Sequence, residues 1–138
     1  MIDLTSTFGK RVARRLKEER IIWLTTVDTH RRPQPRPVWF LWDGETILIF
    51  SREEGYKIQH IQNNAIVSLN LDSDGQGGDI VVILGKAIIE KSSIPMEQIE
   101  EFLEKYQQGL SRINTTPEEF QSNYSAAIRI TPISLRGH

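Results

Sequence analysis

Ser51-Arg52-Glu53-Glu54-Gly55-Tyr56-Lys57 is the stretch whose residue types and spacing could do chemistry. It follows the apolar run Ile47-Leu48-Ile49-Phe50 and precedes a helical pattern, so a strand ends here and a helix begins. The first turn of a helix presents free N–H groups and partial positive charge. A hydroxyl, a guanidinium and an ammonium around it make a receptor for phosphate. The plainer alternative is an ordinary helix start with exposed charges, and Glu53 and Glu54 favour it.

A second stretch, Pro33-Gln34-Pro35-Arg36-Pro37, places prolines at alternate positions of one strand. All of them aim the donor-less side of their backbone at the same edge. A central strand cannot tolerate this, so the segment is an edge or faces a ligand. An edge protected against aggregation is the competing explanation. Trp39 and Trp42 follow in the same strand, where aromatic rings pack either in a core or on a planar ligand.

Other chemistries fail on spacing. Six residues separate Gly78 from Gly85-Lys86, Ala87 stands where a phosphate loop needs a hydroxyl, and the intervening run is a strand. No helix follows Gly75-Gln76-Gly77-Gly78, so there is no dinucleotide fingerprint either. His30, His60 and His138 lack metal-ligand spacing and carboxylate support, so no metal site is expected. There is no Gly-x-Ser-x-Gly elbow, and no catalytic residue is assigned. The chain has no cysteine, which removes disulfides, thiolate metal sites and cysteine nucleophiles.

The elements that position these residues fit one domain of 138 residues. With no long apolar run and no secretory pattern at the start, a cytoplasmic protein is expected. The net charge of −1 argues against a dedicated nucleic-acid binder. Yet residues 1–36 hold nine Lys and Arg against four acids. Such a basic start suits a small anionic ligand or is simply a solvated helix face.

Residues 3–19 read as a helix, with Phe8, Val12 and Leu16 on one stripe. Ile21–Asp28, Gln34–Trp42 and Glu45–Ser51 read as three strands of an antiparallel meander, the last turn signalled by Asp43-Gly44. A helix over 54–64 and a strand over 65–72 follow. Asp79–Glu90 is a strand whose centre, Ile80-Val81-Val82-Ile83-Leu84, is apolar on both faces and so calls for two covers. Pro95 opens a helix that Gly109 ends, Thr116-Pro117 opens a short one, and Tyr124–Thr131 is a sixth strand, with Ile133–Arg136 a candidate extension. The class is α+β, a small closed or half-closed antiparallel barrel with flanking helices.

The order of these pieces resembles the pyridoxamine 5′-phosphate oxidase-like flavoproteins, and within them the branch of F420- or FMN-dependent oxidoreductases. The likeness is carried by Trp23-Leu-Thr-Thr-Val27, Pro35-Arg-Pro-Val-Trp-Phe-Leu-Trp-Asp-Gly44, Ile49-Phe-Ser51, Lys57, Asn63–Leu69 and Gly77–Val82. It spans residues 10–90 well and Tyr124–Gly137 more loosely.

The resemblance implies an FMN-binding split barrel over residues 1–138. It implies a homodimer with FMN, or alternatively coenzyme F420, at the subunit interface and a small-molecule substrate. By position, Ser51 and Lys57 match residues that hold the cofactor phosphate, Arg36 matches a basic position on the preceding strand, and Arg52 belongs to the same loop. Pro37, Val38 and Trp39 match the strand along the ring system, Phe50 a position beside it, and Asp79 a point where the second subunit approaches. Leu41 stands where the oxidase proper has lysine, and Gly55-Tyr56 where it has a Ser-Arg pair. Phosphate contacts are therefore fewer, and oxidation of pyridoxamine phosphate itself is not expected. The resemblance thus points to hydride transfer on an unidentified small molecule. The alternatives are a non-catalytic flavin- or haem-binding protein (sensor, carrier or store) and an unliganded interaction domain that keeps the barrel and has lost the site.

Overall fold

The computed structural model describes residues 2–90 and 94–138. Helix α1 (Thr7–Glu18) starts at Ser6, whose hydroxyl accepts the Gly9 N–H at 3.0 Å. Its expected stripe is real: Val12 and Leu16 are fully buried and Phe8 packs beside them. Strands β1 (Ile22–Val27), β2 (Pro33–Val38), β3 (Leu41–Trp42) and β4 (Ile47–Ser51) precede helix α2 (Tyr56–Asn63). Strands β5 (Ile66–Asn70) and β6 (Val81–Glu90) lead to helices α3 (Met96–Lys105), α4 (Gln107–Arg112) and α5 (Pro117–Asn123), and strand β7 (Ala126–Gly137) ends the fold.

The strands form one antiparallel sheet in the order β2-β1-β5-β6-β7-β4-β3. Strands β2 and β3 lie at opposite edges, yet only Trp39 and Phe40 separate them in sequence. Val38 and Leu41 can be no more than about 11 Å apart along the chain. The sheet must therefore curl until its edges nearly meet, which makes a half-barrel. The expected meander is corrected here. Gln34–Trp42 is two strands, β2 pairing with β1 and β3 pairing with β4.

The break has an anchor. The Phe40 N–H donates to the Tyr106 hydroxyl at 2.8 Å, and that hydroxyl is 2.8 Å from the Arg20 carbonyl, to which it donates. The Phe40 carbonyl accepts from Lys105 Nζ at 2.8 Å. Backbone groups that a continuous ladder would have paired are thus satisfied by α3 and its cap.

Two further expectations change. Tyr124–Thr131 and Ile133–Arg136 are one strand, β7, with a register shift where Leu84 faces Ser134 and Gly85 faces Pro132. Ile133 is the extra residue of a bulge, and a bulge is where a strand accepts the donor-less Pro132. Gly109 does not end the long helix. The chain breaks at Tyr106, and Gly109 lies within α4, where an added Cβ would stand 3.0 Å from Trp39 Cζ2. The glycine is there to let the helix pass the indole.

One core fills the barrel, built from residues such as Ile22, Leu24, Ile49, Leu69, Ile83 and Ile128. A second lies under α3–α5, with Leu48, Phe102, Tyr106, Leu110 and Phe120. On the outer face of the sheet Leu84 is 37% and Ile88 51% exposed, while Val81 and Ile83 point into the barrel core. The double-faced apolar character of this strand is real, and its outer side is uncovered within the chain.

Candidate functional site

Strand β2 is an edge strand, as its prolines require, and Pro33 to Pro37 are exposed on both faces. Its end, Pro37-Val38-Trp39, forms one wall of a cleft of about 400 Å³. Phe50, Ser51, Arg52, Gly55 and Lys57 line the same cleft. Eight of the nine residues selected from the sequence therefore gather at one place. Seven line the cleft besides Arg36, which lies beside Lys57 on an adjoining groove.

The helix start at this cleft is uncapped. Gly55 is the N-cap of α2, so no side chain caps the helix, and no acid stands in its first turn. The N–H groups of Tyr56 and Lys57 have no helical acceptor. Gly55 is needed for close approach: a Cβ there would stand 3.1 Å from the Arg52 carbonyl oxygen and 3.2 Å from Ser51 Oγ. Burial, and then the nearby Arg36 guanidinium, hold the Lys57 ammonium below its ordinary pKa. Among the described residues, neither Lys57 nor Arg36 forms an ion pair with a carboxylate. Two adjacent cations without a counter-charge favour an incoming anion. The Glu53 and Glu54 side chains do not cap this helix, which removes the main argument for an ordinary helix start.

Ser51 sits at the cleft but is nearly buried, and its hydroxyl donates to the Arg52 carbonyl at 3.2 Å. It shapes the loop, and it can reach an anion only by giving up that bond. The Arg52 guanidinium lies 5.5 Å above the Tyr124 ring, close enough for a cation–π contact. Asp79 is not at this cleft. It adopts a left-handed backbone (φ 54°) and pairs with Arg11 at 3.1 Å and Arg15 at 3.3 Å beside α1.

The sequence reading missed the far wall. Phe102, Ile113, Phe120 and Tyr124, all from the α3–α5 region, line the cleft. Trp39 stacks on Tyr106 with centroids 4.6 Å apart and on Phe120 at 5.9 Å, and Phe50 meets Phe102 edge-on at 4.8 Å. The signal was present as two aromatic pairs at i and i+4, Phe102/Tyr106 and Phe120/Tyr124, each on one helical face. Such pairs read as core, and here one side of that core is also the wall of the cleft. The result is an apolar, aromatic slot with a cationic helix start at one end, suited to a planar ligand that carries a phosphate.

A curled seven-strand antiparallel half-barrel with flanking helices is the architecture of the split-barrel class. The sequence matches the family described as pyridoxamine 5′-phosphate oxidase over residues 8–137, and the chain belongs to that family. No curated protein matches it. Among solved structures it is similar to General Stress Protein 26 of Bacillus anthracis, at 24% identity and TM-score 0.69, over 89% of this chain and 87% of that chain. It is also similar to an F420 reductase, at 19% identity and TM-score 0.65, over 88% and 92% of the two chains. HutZ, the haem storage protein of Vibrio cholerae, aligns over 96% and 95% with TM-score 0.70 at 13% identity. Likeness at these identities is likeness of fold.

Proposed function

We propose that the chain is a flavin- or deazaflavin-dependent oxidoreductase, with FMN or F420 as cofactor, acting as a cytoplasmic homodimer on a small molecule. The observation that carries this reading is the uncapped start of α2, with Lys57 and Arg36 unpaired beside it, opening on the aromatic slot of Trp39, Phe50 and Phe120. The residues fit the group: backbone N–H groups and Lys57 hold a phosphate, and the edge of β2 lies along a planar ring. When bound, the cofactor supplies hydride transfer, and the protein supplies binding, orientation and electrostatics. Pro37, Val38 and Trp39 fix the ring's plane, while Phe102 and Phe120 exclude water from one side. No side chain is asked to act as a covalent nucleophile.

The second subunit covers Leu84 and Ile88 on the outer sheet and completes the open side of β2. Asp79 reaches a cofactor only across that interface, as a residue of the opposite site. The alternative is a flavin- or haem-binding protein without turnover, a sensor, carrier or store. The likeness in fold to a haem storage protein supports keeping this reading.

The absorption spectrum of protein loaded in turn with FMN, F420 and haem separates these readings. Anaerobic reduction followed by stopped-flow reoxidation then tests for turnover. A cofactor that is reoxidised no faster on the protein than free in solution, with every acceptor tried, leaves the binding-protein reading in place.

A further inference from the structure

The aromatic wall of the slot has a second side. Behind it lies a chamber of about 230 Å³. Phe50, Phe102, Phe120 and Tyr124 line both this chamber and the slot, so the two cavities share one wall. The sheet explains the space. Phe50 and Glu90 are both register partners of Ala127, on β4 and β6 at either side of β7, and directly opposed partners point to the same face. The three form a row of ring, methyl and carboxylate that spans about 10 Å, two strand spacings. Ala127, at its centre, is the short member and leaves room above the sheet. Ile99 and Leu103 line the chamber from α3, and the exposed Gln121 and Ser125 line it where it meets solvent.

The two sides of the wall differ in charge. The slot carries Arg52 and Lys57. Among the described residues, Glu90 is the one charged group that lines the chamber. Its Oε1 accepts from Arg129 Nε at 3.0 Å, and the same guanidinium lies 3.3 Å from Asp43. One cation faces two carboxylates, so the cluster keeps a net negative charge. No hydrogen bond among the described residues reaches Glu90 Oε2. An apolar cavity of about 150 Å³ is enough to hold benzene. The chamber therefore has room for a single ring, packed on aromatic neighbours, and a carboxylate to meet a donor on that ring's side chain.

We propose that the chamber is a second small-molecule site, which takes a one-ring aromatic amine. The ring packs on the back of the shared wall, and the protonated amine donates to Glu90. Such a cation is repelled by Arg52 and Lys57, so the two cavities sort their ligands by charge. The proposal does not rest on the reading of Lys57 as a phosphate site.

The experiment is titration calorimetry of the full chain with phenylethylamine, phenylpropanoate and methylamine. Phenylethylamine is expected to bind about tenfold or more tightly than either of the others, the scale of one charge-assisted hydrogen bond. Glu90→Gln is expected to remove its advantage over phenylpropanoate, and Leu103→Trp, which fills the chamber, to abolish binding. Lys57→Ala is expected to leave the amine's affinity within about twofold, because that lysine serves the slot alone. If Glu90→Gln or Leu103→Trp melts early, the ranking of the three probes on the wild-type chain and on Lys57→Ala decides. Phenylpropanoate binding as tightly as the amine overturns the role of Glu90. Methylamine binding as tightly overturns the role of the ring. An amine affinity unchanged in both folded chamber variants, or shifted more than about twofold by Lys57→Ala, places the amine elsewhere and overturns the site.

Discussion

Trp39 and Tyr106 lie face to face, with ring centroids 4.6 Å apart and planes 6° from parallel, while the same tyrosine holds the Phe40 N–H by its hydroxyl. One side chain from the end of α3 thus sets the plane of the cleft wall and closes the break between β2 and β3. Tyr106→Phe keeps the ring and removes the hydroxyl. It leaves the buried Phe40 N–H without its acceptor, and the cost is about 1–3 kcal/mol of stability. Urea unfolding is the measurement. Tyr106→Ala is expected to cost more, about 3–5 kcal/mol, through the cavity it leaves.

Gly109→Ala opposes two effects. Alanine in a helix gains about 1 kcal/mol over glycine. Its Cβ would stand 3.0 Å from Trp39, and Trp39 is held between Tyr106 and Phe120. Overpacking of this kind costs about 1–3 kcal/mol, so the variant is expected to be less stable. A lower melting temperature with altered tryptophan fluorescence is the expected result. A higher melting temperature would show that the indole yields.

Lys57→Ala is expected to weaken cofactor binding by about 1.5–3 kcal/mol, the scale of a charge-assisted hydrogen bond. That is roughly ten- to a hundredfold in affinity. The free protein should lose little stability, because the ammonium sits half-buried beside Arg36 and is held below its usual pKa. Titration calorimetry and thermal melting of the same variant check both halves.

Burial, with Arg20 nearby, lowers the Lys105 pKa to about 8 from an unfolded value of 10.5. Between these values the unfolded chain binds the extra proton, so stability rises with pH in that window. Below about pH 8 both states are charged and the slope vanishes. Tyr106 adds the opposite slope above pH 10, where burial keeps the folded phenol protonated while the unfolded one ionises. Urea midpoints from pH 7 to 10 should rise for the wild type relative to Lys105→Met, whose own profile lacks this rise.

Leu84→Lys tests assembly. Leu84 lies on the uncovered outer face of β6, 37% exposed, with Ile88 two turns of the pleat further on. The wild-type chain is expected to run as a dimer in light scattering at micromolar concentration, and Leu84→Lys as a folded monomer. A monomeric wild type would remove the basis for a shared site.

The elements were legible because local signals agreed with the final packing. The Phe8/Val12/Leu16 stripe, Asp43-Gly44 and the alternating prolines each named their place in the fold. That Ser51, Arg52 and Lys57 would gather at one place was legible for the same reason, since they lie within seven residues of chain, and they line one cleft. The aromatic wall was not. Phe120 reaches Trp39 only because α4 and α5 fold back over the barrel, and no local pattern states that return. The strand break at Trp39-Phe40 was hidden too, because its cause is a tyrosine 66 residues away.

The sheet order also fixes when the barrel can exist. Strand β7 is the last element of the chain, yet it lies between β6 and β4. Without its ladders, β2-β1-β5-β6 and β4-β3 share no strand pairing. A ribosome that has released residues 1–90 has delivered the Lys57 helix and the Arg36 strand, but neither β7 nor Tyr106 to hold them in one frame. The joining contacts are distant in sequence, so closure is expected to be slow relative to the local turns and helices. Any ligand of the cleft is therefore expected to be captured only after β7 has joined the two parts of the sheet, and a truncation within β7 is expected to cost the cleft even though every residue chosen for it remains.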